Sequence, residues 1–167
     1  TSWTPSVTTQ ANTGRLVGQG GEITAAAVLG SQVVAFKSRA MYLGTYVGSP
    51  VVWQWDQIPG EVGCIGPDAV VDIGGALLFR GDDDFYYFDG TRPVPIGVDV
   101  RQWFNTNADQ VNRYKTQAVF DRQQRRVWFF FPSVGSTLCD TALVYHVGTK
   151  QWGKASRTIE SVLNYVT

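Results

Sequence analysis

The strongest constraint on this 167-residue chain is a hydrophobic pattern that occurs three times. The copies begin near Glu22, Asp68 and Tyr114, and each holds four short runs of β-branched and aromatic residues closed by turns. The runs are Ile23–Val28, Val33–Lys37, Met41–Val47 and Val51–Gln57 in the first copy. They are Ala69–Ile73, Ala76–Arg80, Phe85–Phe88 and Val94–Gly97 in the second. In the third they are Thr116–Phe120, Arg126–Phe131, Ala142–Val147 and Gln151–Ala155. A period of about 45 residues with four strands per period is the sequence form of β-propeller blades. The expected fold is all-β and propeller-like, with three blade-like antiparallel sheets over 22–67, 68–113 and 114–158. An extended arm is expected at 1–21, where Trp3 and Pro5 are the strong features, and a further C-terminal strand at 159–166.

Local chemistry supports this division. Apolar and polar residues alternate through Met41–Val47, as half-buried strands require. Gly30-Ser31 and Gly74-Gly75 occupy the same turn in their copies, and Ser38-Arg39 matches Gly81–Asp84 in the next turn. The best internal alignment sets Phe36 on Phe79, with Phe130 as the third counterpart; all three are expected to be buried in equivalent places. Pro132–Asp140 lengthens the third copy. One segment breaks the rhythm: Val100, Trp103 and Phe104 lie at helical spacing behind Asp99, a suitable N-cap, predicting a short helix that ends near Asn107.

Composition narrows the function. Charged residues make up 17% of the chain while aromatics reach 13%, a balance suited to surface covered by neighbouring subunits. Fourteen basic residues cancel fourteen acidic ones, which argues against a nucleic-acid binder. Arg122, Arg125 and Arg126 cluster only around a hairpin turn and are expected to be solvated. No apolar run approaches the roughly 18 residues of a membrane span, and no signal-peptide pattern opens the chain. A chain that starts at Thr1 is expected to be a fragment or a processed product.

Chemistry-bearing residues are sparse. Cys64 and Cys139 show no metal spacing, lie in different copies, and are expected as reduced, partly buried thiols. His146, the sole histidine, is the partner any Cys–His or Ser–His nucleophile would need, but no nucleophile-elbow motif accompanies it. Asp82, Asp83 and Asp84 supply hard oxygen ligands for calcium, without the alternating ligands of a calcium loop; a solvated hairpin tip is the competing reading. Asp56, Glu61, Asp68 and Asp72 are candidates for a glycosidase acid pair, and nothing in the sequence selects two of them. Trp53 and Trp55 share one strand face, where they either stack sugars, with Tyr86, or pack on a neighbouring blade. The expectation is no catalytic, cofactor or metal residues, and no enzyme.

A resemblance adds a class. Trp3-Thr4-Pro5-Ser6 with Thr9-Gln10, Gly21-Glu22-Ile23, Phe36–Gly44, Val62–Val70 and Phe85–Gly90 together resemble the structural tail and head–tail proteins of tailed bacteriophages and prophages. Podovirus-type tail tube or nozzle proteins are the nearest named relatives, and they are larger than this chain. The resemblance covers most of residues 1–147 and rests on strand and turn residues. It implies a virion component, assembled in the host cytoplasm, that acts through subunit packing. Its partners would be other virion subunits, either as a homo-oligomer or as the rest of a longer parent chain. A carbohydrate-binding propeller module and, less favoured, a glycan hydrolase of the tail are the alternatives. Three blades fall short of the usual four to eight, so the ring is not expected to close within this chain alone.

Overall fold

The computed structural model describes residues 4–6, 8, 9, 11 and 13–162; Trp3, Gln10 and the 163–166 part of the expected C-terminal strand lie outside the described residues. The described residues form three four-stranded antiparallel sheets, each with its strands in sequence order, and one short helix. The first sheet holds β1 (Ile23–Leu29), β2 (Gln32–Lys37), β3 (Met41–Gly48) and β4 (Val52–Ile58). The second holds β5 (Val70–Asp72), β6 (Leu77–Arg80), β7 (Phe85–Phe88) and the two-residue β8 (Val94–Pro95). The third holds β9 (Gln117–Asp121), β10 (Arg126–Phe131), β11 (Cys139–His146) and β12 (Gln151–Ile159). The helix α1 spans Arg101–Asn107, and a single 3-10 turn follows at Arg113–Lys115.

The arrangement is propeller-like. First strands lie side by side, β1 against β5 and β5 against β9, and the sheets stack face on face. Between the first and second sheets lies one apolar layer, in which Val34, Phe36 and Met41 meet Leu77, Phe79 and Phe88. A second layer joins the second and third sheets, with Leu78 and Phe85 against Val127, Phe129 and Leu143. The middle sheet is thus buried on both faces, which is why all four residues of β6 are inaccessible. Alternation along each strand makes this possible, since successive side chains leave opposite faces. Each sheet has a backward face, towards the N-terminal neighbour, and a forward face, towards the C-terminal one.

The turns correct the expected alignment. Leu29 pairs with Gln32 around Gly30-Ser31, and the Ile73 N–H donates to the Ala76 carbonyl around Gly74-Gly75, whose φ values of 92° and 96° cost glycine little. Equating these two-residue turns sets Phe36 on Arg80 and Ala35 on Phe79, one residue away from the expected match. A one-residue slip moves a side chain to the other face. Phe36 and Phe130 therefore point forward, Phe79 points backward, and Phe36 meets Phe79 across the layer with ring centroids 4.9 Å apart. All three are buried, but they are not equivalent.

Two smaller expectations are also corrected. Asp99 does not cap the helix: Val100 is the N-cap, without a side-chain cap bond, and the Gly97 carbonyl accepts both the Val100 and Arg101 N–H groups at 2.9 and 2.7 Å. What holds α1 is packing, with Phe104 4.5 Å from Phe131 and 5.3 Å from Phe85 between ring centroids. Ile159 does not open a new strand; it closes β12, where it pairs with Cys139 beyond a bulge. Residues 160–162 lie outside any strand.

Candidate functional site: the open face of the first sheet

Trp53 and Trp55 come together as their spacing predicts. They leave the backward face of β4, their rings 6.3 Å apart and 28° from parallel, and Tyr46 meets the Trp53 edge at 5.8 Å. Opposite Trp55 on β3 stands Gly44. A Cβ there would lie 2.7 Å from the Trp55 ring, so the missing side chain makes room for the indole to settle on the sheet. Both tryptophans remain 37–38% exposed.

The face is a groove of about 660 Å³, floored by residues such as Ala26, Val33 and Tyr42. Residues 14–18 wall one side. Leu16 of that segment packs on Ala35, Ala40 and Tyr42. Lys37 fastens it, donating from Nζ to the Leu16 and Gly18 carbonyls at 2.8 Å each. This anchor satisfies an ammonium in a residue that is otherwise buried. Tyr42, Gln57 and Arg15 supply the polar edge of an otherwise apolar groove.

Tyr86 is not on this face. It belongs to β7 in the middle sheet, where its ring stacks on Phe79 at 5.5 Å and its hydroxyl donates to Asp83 at 2.7 Å. Burial, and then that bond, push its phenol above the ordinary range. Sequence spacing could not separate Tyr86 from the tryptophans, because the sheets face different neighbours.

The Gly81–Asp84 hairpin keeps Asp82 and Asp83 exposed, as a solvated tip would, but buries Asp84 and pairs two of its carboxylates with arginines. Asp82 pairs with Arg113, whose Nη1 also donates to the Asp82 carbonyl at 3.2 Å. Asp83 accepts from Tyr86. Asp84, only 1% exposed, accepts from the Phe85 N–H at 2.7 Å and from Arg101 at 3.2 Å. Behind them Arg80 is wholly buried, donating to Asn105 at 2.7 Å and to the Asp82 carbonyl, with its guanidinium 4.3 Å from the Phe104 ring and 4.9 Å from Phe85. Its Nε and Nη1 have no partner among the described residues, and burial, then Arg113, lower its pKa to about 10. The sequence reading missed Arg80, whose only signal was a cation inside an apolar strand.

The remaining candidates are dispersed. Cys139 and His146 stand at opposite ends of β11, roughly 23 Å apart at 3.3 Å per residue, too far for a nucleophile pair. His146 Nδ1 accepts the Thr149 N–H at 3.1 Å, closing the β11–β12 turn. Asp72 Oδ1 accepts the Gly74 and Gly75 N–H groups, holding the β5–β6 turn. Asp56 accepts from Gln54 on β4, which lies three strands out from β1, roughly 14 Å. With β5 against β1, that separates Asp56 from Asp72 by more than an acid pair allows. Glu61 lines a shallow cleft with Arg39, and Asp68 sits where the first strands converge. Arg122, Arg125 and Arg126 are exposed around their turn, which Asp121 ties to the Gln123 and Gln124 N–H groups.

Both cysteines are free. Burial pushes the Cys64 thiol up to about 12 and the Cys139 thiol to about 11. Neither is a thiolate at neutral pH, so neither is an activated nucleophile. A thiol reagent at pH 8 is expected to label neither until denaturant is added. Because the native Cys64 thiol keeps its proton while the unfolded thiol, near 9, loses it, this group favours folding below about pH 9. That contribution declines as pH rises from about 9 towards 12. A Cys64→Ala variant should show a shallower loss of stability across that window in alkaline denaturation.

No protein-family model matches the chain, and no curated protein matches it. Among solved structures, it is similar to PorZ, described as an essential bacterial surface component of the type-IX secretion system of Porphyromonas gingivalis. The likeness has 12% identity and a TM-score of 0.37, and covers 87% of this chain and 22% of PorZ. At that level it carries no argument about function.

Proposed function

We propose that this chain is a non-enzymatic structural component of a phage or prophage virion, in the tail or head–tail connector, that acts through subunit packing. The observation that carries the packing role is a pair of apolar sheet faces that no other sheet covers among the described residues and that stay partly exposed. The first sheet leaves Trp53, Trp55 and Tyr46 outward, and on the forward side of the third, beside the buried Phe130, Trp128 and Val144 stay half-exposed and Gly153 exposed. Faces of this composition suit interface cores, which are rich in aromatics and poor in charge. The Asp72 carboxylate is engaged in a turn and those of Asp82 and Asp84 in ion pairs, which fits a rigid scaffold. The virion assignment itself rests on the sequence resemblance. An antibody against the chain should label tailed particles purified from the strain that encodes it; unlabelled particles would defeat the assignment.

A second reading has one observation in its favour. Two near-parallel indoles beside the Tyr42 hydroxyl and Gln57 are suited to stacking and bonding a sugar. A glycan array, with a Trp53→Ala/Trp55→Ala double variant as control, tests it: variant-sensitive binding supports the module, and an empty array ends it.

A further inference from the structure

The inter-sheet contacts inside the chain have a direction. In each, the forward face of one sheet meets the backward face of the next, with like strands opposed: Phe36 of β2 lies on Phe79 of β6, β5 lies on β1 and β9 lies on β5. Among the described residues two faces have no sheet packed on them, the backward face of the first sheet and the forward face of the third, where Phe130 and Ala142 are buried while Trp128 and Val144 stay half-exposed. The two faces are one of each kind. Every copy of the chain thus carries the complement of its own open face.

Their relief is complementary in detail. Across the free half of the first sheet, the pairing register aligns Val28, Val33, Gly44 and Trp55 on strands one to four. Across the third sheet it aligns Val119, Trp128, Val144 and Gly153 on the corresponding strands. Opposing like strands, as the chain does internally, sets Val28 on Val119, Val33 on Trp128, Gly44 on Val144 and Trp55 on Gly153. The bulky Trp55 meets a glycine, and the glycine at 44 meets a valine. Gly153 is exposed, and a Cβ there would find nothing closer than the Val144 carbonyl at 4.0 Å, so space is open above it. Neither row contains a charged residue. The described ends of the chain cover the other half of each face. Leu16 lies over Ala35 and Tyr42, and Val162 joins the Phe130 cluster, its N–H held by Gln117 Oε1 at 3.0 Å.

From this we infer that copies of the chain associate head to tail, the third sheet of one seated on the first sheet of the next. The inference rests on the packing role proposed above. The contact is heterologous, so it propagates to a closed ring or an open filament rather than stopping at a two-fold dimer.

Sedimentation and light scattering over a concentration series test it, with circular dichroism to confirm folding. The wild-type chain should exceed its 18.4 kDa monomer mass increasingly with concentration. Trp55→Arg and Gly153→Arg should each remain monomeric. An equimolar mixture of the two variants should give a dimer of one copy of each, because each retains the face the other has lost. Trp53→Arg and Val144→Arg serve the same roles if either variant fails to fold. A wild-type chain that is monomeric throughout, single variants that still assemble, or a mixture that stays monomeric would each overturn the inference. So would a monomer whose tryptophan emission shifts with added oligosaccharide. A monomeric chain found in tailed particles would defeat this contact and leave the virion role standing; an assembling chain absent from particles would do the reverse.

Discussion

Phe79→Ala is expected to lower stability by about 3–5 kcal/mol in denaturant titration, because a fully buried aromatic leaves a cavity that flanking sheets cannot close. Phe79 lies between Phe36 at 4.9 Å and Tyr86 at 5.5 Å, so its loss opens the whole layer between the first and second sheets. Phe36→Ala should cost a similar amount for the same reason. The pair is informative: the two rings share one site, so the double variant should cost less than the sum of the singles, by about 0.5–3 kcal/mol. Phe130→Ala, on the far side of the third sheet, should add to either without coupling. Strict additivity of Phe36 and Phe79 would mean that they do not meet, and would restore the equivalence suggested by the internal alignment.

Gly63→Ala should be about as damaging as a core truncation although it removes nothing. The new Cβ would stand 2.0 Å from the Lys37 carbonyl oxygen and 2.5 Å from backbone atoms of Ser38. Neither neighbour is a side-chain end that can swing aside. The Cys64 N–H also donates to that same Lys37 carbonyl at 3.1 Å, tying the β4–β5 connection to the first sheet. Relief of the clash must break this bond or move β2, for an expected cost of about 3 kcal/mol, at the upper end for overpacking. Gly60→Ala makes the useful contrast. Its site is spatially open, so its cost should arise from its φ of 118° alone and be smaller. Thermal unfolding of both variants checks the order; equal costs would place the effect in backbone conformation rather than in close approach.

Gly63 shows where sequence reading stopped. The run Val62–Val70 stood out as a motif, and Gly66 opens a turn through its carbonyl to the Ala69 N–H, but nothing local shows what either glycine lies against. Gly63 lies against the Lys37 and Ser38 backbone and Gly66 against Tyr114, whose carbonyl oxygen would be 2.0 Å from a Cβ. Both partners are tens of positions away in the chain. The Trp53–Trp55 pair was legible because an i, i+2 spacing on a strand fixes a shared face without further information. That Gly44 lies beneath Trp55 depends on the β3–β4 register, which spacing along one strand does not contain. Arg80 and Asp84 were harder still. A charge in a β-run is ordinarily expected at the surface, and only the stacking of sheets on both sides of β6, with α1 closing the corner, removes it from solvent.

What the sequence determined by itself was the succession of strands and hairpins, because alternation, β-branched and aromatic runs, and glycine turns act between residues close along the chain. The tertiary structure decided which face of each sheet meets which neighbour, and hence that Phe79 looks back while Phe36 and Phe130 look forward. It also decided that the middle sheet is sealed between two others while, among the described residues, the outer two each have a sheet on one face only. The reason is physical: a strand's two faces are distinguished only by what packs against them, and a shift of one residue in register exchanges one for the other.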